Sequence, residues 1–171
     1  MKQVIIGLTN PKSPTNVGAV LRAVGCFSAD KIVYSGNRYD IAKQYTPHTT
    51  DTQNIMSSIE MYKVEDFIAE LEPDVKLICV DLVEGATPLP NFTHPDKAMY
   101  LFGPEDGSLK QEMIDKADHV IYIPTKGSLN LAASVNVVMY DRHSKSQTFY
   151  TDDELVKNSR DVNNRLVCED N

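Results

Sequence analysis

No stretch of this sequence approaches the roughly 20 consecutive apolar residues that cross a bilayer as a helix, so no membrane partner is expected. Cysteine is scarce. Cys26, Cys79 and Cys168 are odd in number, far apart and without a CxxC pair. That argues against a disulfide frame and for reduced thiols in a cytoplasmic setting. Asn91-Phe92-Thr93 fits a glycosylation sequon, but the opening Met1–Leu8 segment reads as a strand rather than a secretion signal, so the match is read as chance. Nucleotide fingerprints are missing as well: Lys110 is misplaced for GxxxxGK[ST], and no GxGxxG occurs. There is no GxSxG elbow, and His48, His94, His119 and His143 show neither a nucleophile partner pattern nor zinc spacing. Basic charge is also short, with 17 Lys and Arg against 24 Asp and Glu, a formal net charge of −7. That balance disfavours a nucleic-acid partner, which normally meets a basic surface. The sum hides local patches, however. Lys12, Arg22, Arg38, Lys43 and Lys126 sit near the loops described below, whereas acids gather in 60–74 and 152–170.

What is present is an ordinary globular composition, 42% hydrophobic and 24% charged, in a length suited to one domain. Apolar runs alternate with helical periodicity. Strands are expected at 4–8, 31–34, 77–82, 98–102 and 120–123. Helices are expected at 15–27, with Val17, Val20, Leu21 and Val24 on one stripe, at 64–71 before Pro73, at about 108–116, and at about 130–143. Residues 37–52 read as polar and irregular, and 152–157 as a possible short helix. This is an α/β pattern with a mostly parallel sheet flanked by helices. Ligands of such sheets bind outside the carboxyl ends of the strands. Residues 1–145 form the expected domain, and 146–171 a polar extension.

Three loops stand out. In Asn10-Pro11-Lys12-Ser13-Pro14-Thr15-Asn16-Val17-Gly18-Ala19-Val20-Leu21-Arg22, two prolines stiffen the entry to a helix that Thr15 or Asn16 can cap, and Gly18 allows close packing on the first turn. Arg22, off the apolar stripe, could grip a phosphate or an oxyanion, although a surface arginine is commoner there. In Phe102-Gly103-Pro104-Glu105-Asp106-Gly107-Ser108-Leu109, a sharp turn follows a strand directly, and Glu105 could hold a ligand or cap the next helix. Ile123-Pro124-Thr125-Lys126-Gly127-Ser128-Leu129-Asn130-Leu131 passes from strand to helix through small and restricted residues, which leaves backbone N–H groups open to a ligand. Ser128 and Asn130 are otherwise ordinary caps. Asp81, at the end of the 77–80 run, either contacts a ligand or caps Glu84-Gly85.

Taken in order, Asn16–Arg22, Leu101–Glu105 and Ile123-Pro124 with Ser128–Leu131 resemble the three motifs of the SpoU (TrmH-like) branch of the SPOUT RNA methyltransferases. The resemblance covers roughly residues 4–141. It implies a C-terminal trefoil knot, a homodimer, S-adenosylmethionine as methyl donor, and a ribose 2′-hydroxyl of RNA as acceptor. The small size is similar to minimal members that act on tRNA, with rRNA as an alternative substrate and a catalytically silent binding module as the rival class. By position, the resemblance assigns catalytic roles to Arg22, Asn16, Ser128 and Asn130. It places Val80, Asp81, Leu82, Gly103, Glu105, Gly107, Ile123, Pro124, Ser128 and Leu129 around the donor. Two positions depart from the pattern: Ser108 stands where motif two has glycine, with Gly107 one place earlier, and Ala132 stands where motif three has serine.

Overall fold

Strict alternation along the central strands decides which residues face which layer, because successive side chains in a strand point to opposite sides. In the computed structural model, which describes residues 2–44, 59–146, 153–161 and 163–168, seven strands form one sheet. They are β1 (Gln3–Leu8), β2 (Lys31–Tyr34), β3 (Glu60–Lys63), β4 (Lys76–Val80), β5 (Thr87–Pro88), β6 (Lys97–Phe102) and β7 (His119–Tyr122). Their order is β3-β2-β1-β6-β4-β7-β5, and every neighbouring pair is parallel. The expected α/β class holds. All carboxyl ends therefore point the same way, and the loops after β1, β6, β4 and β7 meet there.

Val4, Ile6 and Leu8 of β1 join Ile78 and Val80 of β4 in one apolar layer. Helices α1 (Pro14–Cys26) and α4 (Leu131–Lys145) cover it, through Val17, Val20, Leu21 and Val24 on one and Val135, Val138 and Met139 on the other. Ile5, Leu77 and Cys79 face the opposite layer with Met99, Leu101, Val75 and Phe67, where α3 (Gln111–Lys116) adds Met113 and Ile114. Short helices α2 (Arg38–Ala42) and α5 (Asp153–Ser159) complete the described elements. Burial pushes the Cys79 thiol up to about 12, which makes it a core residue and not a nucleophile.

Local chemistry explains where elements start. Ser13, not Thr15 or Asn16, caps α1: its hydroxyl accepts from Asn16 N at 3.3 Å, and Pro14 occupies the first turn. Gly18 offers space rather than close packing, since a Cβ there would meet nothing within 4 Å. Gly36 has φ +76, and a Cβ on it would collide with the Asn10 carboxamide, so the β2–α2 turn requires glycine. The expected helix at 64–71 does not form. Glu70 N and Leu71 N donate three residues back, to Phe67 O and Ile68 O, while the Asp66 carboxylate captures Ile68 N at 2.8 Å. Local side-chain bonding competes with a helical ladder, and a segment this short cannot nucleate one alone. The polar segment Glu60–Lys63 is a strand instead, paired along β2, an edge position that its apolar content did not announce. The predicted helix at 108–116 starts at Gln111, because Lys110 is held extended at φ −71 and ψ 145. Of the irregular 37–52 stretch, Arg38–Ala42 is helical, and residues 45–52 lie outside those described.

The far end of the sheet is closed by a buried polar latch. His94, with a side chain 5% exposed, joins Tyr100 of β6 to Asp141 of α4 at 2.6 and 2.8 Å. Tyr100 is held protonated by burial, up to about 12, and its oxygen accepts from Arg142 Nη1 at 3.0 Å. The phenol proton therefore goes to His94 Nδ1, and His94 Nε2–H donates to the Asp141 carboxylate. Lys145 Nζ completes the latch on Asp141 at 2.7 Å. This network is complete only with neutral imidazole. Burial lowers the His94 pKa against the opposing pull of Asp141. The unfolded chain then takes up the proton first. The His94 contribution is whole above the ordinary value near 6.5 and lost as pH falls from there through the lowered folded value. Lowered carboxylates such as Asp40 and Asp106 act only further down, below about 4. Denaturant midpoints followed downward from neutral pH should begin to decline below about 6.5. His94→Phe should be less stable at neutral pH yet flatter over that decline; an unchanged slope would place the titration elsewhere.

Candidate active site

A cavity of about 460 Å³ opens at the carboxyl ends of β6, β4 and β7, where the three loops converge. Val80, Asp81 and Leu82 form the wall that follows β4. Gly103, Glu105 and Gly107 come from the turn after β6. Ile123, Ser128, Leu129 and Asn130 come from the passage between β7 and α4, and Asn16 reaches in from α1. Two predicted site residues are not among the lining: Pro124, which is exposed on the loop, and Arg22. At 3.6 residues per turn, Arg22 is rotated about 240° around α1 from Asn16 and so presents to a different side. It is exposed and makes no side-chain hydrogen bond or ion pair among the described residues.

Glu105 is the hub of the site. One carboxylate oxygen accepts from Lys12 N at 2.6 Å, and the other accepts from Ser13 N at 3.0 Å and Asn16 Nδ2 at 3.3 Å. Of the two readings open for Glu105, the cap of the next helix is corrected: it caps the entrance to α1 instead, while it also lines the cavity. Asp81 is similarly committed. Its Oδ2 accepts from Leu109 N at 2.7 Å and its Oδ1 from Leu82 N at 2.8 Å, so it pins the β6 loop against the β4 end. Gly103 lies directly between, since a Cβ there would sit 3.3 Å from both Asp81 Oδ2 and Leu109 N. Any side chain at Gly103 would press this clamp open.

Asn130 caps α4, its side-chain oxygen accepting from Ala133 N at 2.8 Å. Its carboxamide NH₂ remains available. Ser128 is exposed on the pocket rim, with no side-chain hydrogen bond among the described residues. Ala132 is 7% exposed and packs in the core, so the missing serine hydroxyl has no place in the cavity lining, whereas Ser108 does line it. Sequence reading did not place Phe102, Pro104, Ser108, Thr125, Leu131 and Ser134 in the site, although they line the cavity. Ser134 was accessible in principle: four residues beyond Asn130, it falls on the same helix face.

Among the described residues, no Lys, Arg or His lines the cavity, and the charged side chains that do are the two carboxylates Asp81 and Glu105. A phosphate would find no cation there, whereas apolar walls from Val80, Leu82, Ile123, Leu129 and Leu131 suit a ring system carrying a positive group.

The sequence is 25% identical over 155 residues to a tRNA (cytidine-2′-O-)-methyltransferase, TrmJ, of Methanocaldococcus jannaschii, covering 81% of this chain and 66% of that protein. The fold is similar to an AdoMet-bound rRNA methyltransferase from Sinorhizobium meliloti, with a TM-score of 0.69 and 20% identity over 84% of this chain and 57% of that one. The chain thus spans less than two thirds of the length of either protein. A structure described by 2-OH methylation of C/U34 on tRNA matches with a TM-score of 0.71 and 20% identity, covering 84% of this chain and 91% of the other. At these identities the structural likeness carries the fold. The family model of the SpoU rRNA methylases matches residues 3–140, and the chain belongs to that family.

Proposed function

We propose that this protein transfers a methyl group from S-adenosylmethionine to a ribose 2′-hydroxyl of RNA, with tRNA as the substrate. The observation that carries this reading is a cavity at the carboxyl ends of the strands that, among the described residues, has two carboxylates and no cation. That charge pattern suits a sulfonium-bearing nucleoside and opposes a phosphorylated one. It also disfavours a nucleotide-dependent α/β enzyme. The donor, when bound, supplies an electrophilic methyl group on a positively charged sulfur, and no metal is needed.

The chain's own residues supply position and charge. Glu105 holds the start of α1, and with it Asn16, against the pocket. Asp81 holds the β6 loop so that Gly103 leaves room at the wall. The free amide of Asn130 and the Ser128 hydroxyl are hydrogen-bonding groups at the rim, where an acceptor nucleotide enters. Arg22 stabilises negative charge developing on the ribose oxygen; a guanidinium is a permanent cation and a poor proton acceptor, so its part is electrostatic. Positioning of this kind accounts for a large part of catalysis in a transfer between two bound reactants.

A homodimer is part of this proposal. Arg22 does not line its own chain's cavity, and α4, which starts at the cavity rim, leaves Tyr140 64% and Val137 37% exposed. A second copy seated on that helix would cover apolar surface and bring an Arg22 to a neighbouring site. We also assign a trefoil knot to the carboxyl half. Supporting it, β7 inserts between β4 and β5, and α4 then runs back to bond Leu89 O and Phe92 O through Lys145. Residues 1–145 would be the catalytic domain, acting in the cytoplasm, and 146–171 an extension.

The test is incubation of the pure protein with total cellular RNA and methyl-labelled S-adenosylmethionine, followed by alkaline hydrolysis. Label in the tRNA size class that alkali then leaves in resistant dinucleotides is the expected result. Resistant label in rRNA would change the substrate, and label released in single nucleotides would move the chemistry to a base. Donor binding with no label in any RNA would favour the silent binding module.

A further inference from the structure

Beside the cavity, on the same carboxyl edge of the sheet, the loops after β1, β2 and β3 carry a row of cations. Lys12 follows β1, Arg38 and Lys43 follow β2, and Lys63 ends β3. The row continues directly from the cavity, because Lys12 N is bonded to Glu105. Its side chains are not free in solvent. Asp106 takes both Arg38 Nη1 at 2.7 Å and Lys12 Nζ at 3.9 Å. Asp40 takes Lys43 Nζ at 2.9 Å and Lys63 Nζ at 3.7 Å, and also accepts from the Tyr34 hydroxyl at 2.8 Å. Two carboxylates thus serve four cations. The Arg38 and Lys12 partners hold Asp106 below the usual carboxylate range, and the Lys43 and Tyr34 bonds do the same for Asp40. Both therefore remain charged at neutral pH.

We propose that this row is a phosphate track for the RNA leading to the cavity, and that Asp106 and Asp40 act as built-in competitors for its cations. The assignment rests on the methyltransferase reading for the identity of the nucleic acid. The physical case is local. In a chain of net charge −7, RNA attraction must come from a local row of cations, and here four cation heads are shared by only two ion-paired carboxylates. Exposed pairs contribute little to folding, so stability alone gives little reason to hold four cations on two acids. As competitors, the acids fix the cation heads in place and keep the track weak enough to release RNA after transfer. A phosphate arriving at Lys43 or Lys63 replaces Asp40; one arriving at Lys12 replaces part of the field of Asp106. Arg38 stays in place in either case, because its Nε and Nη2 also donate to Asn10 O at 3.0 and 2.6 Å.

The experiment measures the affinity of end-labelled unfractionated tRNA between about 50 and 200 mM salt, with methyl transfer and donor binding followed in parallel. Asp106→Asn and Asp40→Asn, each keeping an acceptor oxygen, should tighten tRNA binding several-fold and leave donor affinity unchanged. Lys43→Gln with Lys63→Gln, both on solvent-accessible side chains, should weaken binding and flatten the slope of log K against log salt by about 0.7 for each single-strand phosphate left without its cation. Neutralised acids that leave tRNA affinity unchanged, or lysine variants with the wild-type salt slope, would overturn the track even if methyl transfer proceeds normally. No binding of tRNA by the wild-type protein at the lowest salt would also overturn it. The predicted slopes without any methyl transfer would instead keep the track and remove the enzyme reading.

Discussion

Arg22→Ala is expected to lower methyl transfer to RNA by about 10²–10⁴-fold while donor affinity stays near wild type. Arg22 is exposed, has no side-chain partner among the described residues, and does not line the cavity, so its removal opens no core and breaks no ion pair seen here. The fold should be unaffected, and circular dichroism with a thermal melt provides that control. On the proposed reading, what disappears is a guanidinium that meets the ribose oxygen as it gains charge. An uncompensated oxyanion in a partly desolvated site costs far more than the same charge in water. Single-turnover rates at saturating donor separate this from binding. Equal loss of donor affinity would reassign Arg22 to the donor, and wild-type turnover would remove it from the mechanism. Mixing Arg22→Ala with the cavity variant Gly103→Val tests whether the arginine acts across a dimer. If it does, mixed dimers carry one intact composite site and recover part of the activity. Without exchange of this kind, both variants remain inactive in the mixture.

Glu105→Ala should have the second large effect, about 10²-fold in kcat/KM, accompanied by a loss of about 1–3 kcal/mol in unfolding free energy. The carboxylate accepts three bonds that tie the β6 turn to the start of α1, two of them from backbone N–H groups at the helix entrance. Its removal leaves those N–H groups to water and releases Asn16 from the cavity wall. Glu105→Gln discriminates the cause. A carboxamide has one accepting oxygen, so it can serve Ser13 N and Asn16 Nδ2 but must turn its NH₂ toward Lys12 N. The glutamine variant should therefore fall between wild type and alanine in both activity and stability. Alanine kinetics indistinguishable from wild type would show that the turn holds α1 by other means.

The positions quoted from the three loops needed no structure to be noticed, because strand-to-turn-to-helix passages leave a dense local signature of glycine, proline and small polar residues. Of the site residues expected from them, all but Pro124 and Arg22 line one cavity together with Val80, Asp81 and Leu82. The parallel sheet was equally legible in its core strands, whose apolar runs are continuous because both faces are covered. Edge elements were not. Glu60–Lys63 and the two-residue Thr87–Pro88 carry no apolar run, and they become strands only because β2 and β7 offer them unpaired backbone. The 64–71 segment shows the converse: its periodicity suggested a helix, but Asp66 and tertiary packing of Val64 and Phe67 made it a series of turns.

Roles diverged in the same way. Sequence alone determined the α/β class, the apolar stripe of α1 and the three loops, since each is written in residues close along the chain. Only the tertiary structure decided that Glu105 and Asp81 spend their oxygens on backbone N–H groups from other segments, and that Asp106 and Asp40 share four cations drawn from three loops. Such partners lie as much as 93 residues apart, as Lys12 and Glu105 do, and no local pattern encodes which carboxylate a distant N–H or ammonium will meet. The parallel register of the sheet brings the strand ends together, and the long-range electrostatics of the site follow from that.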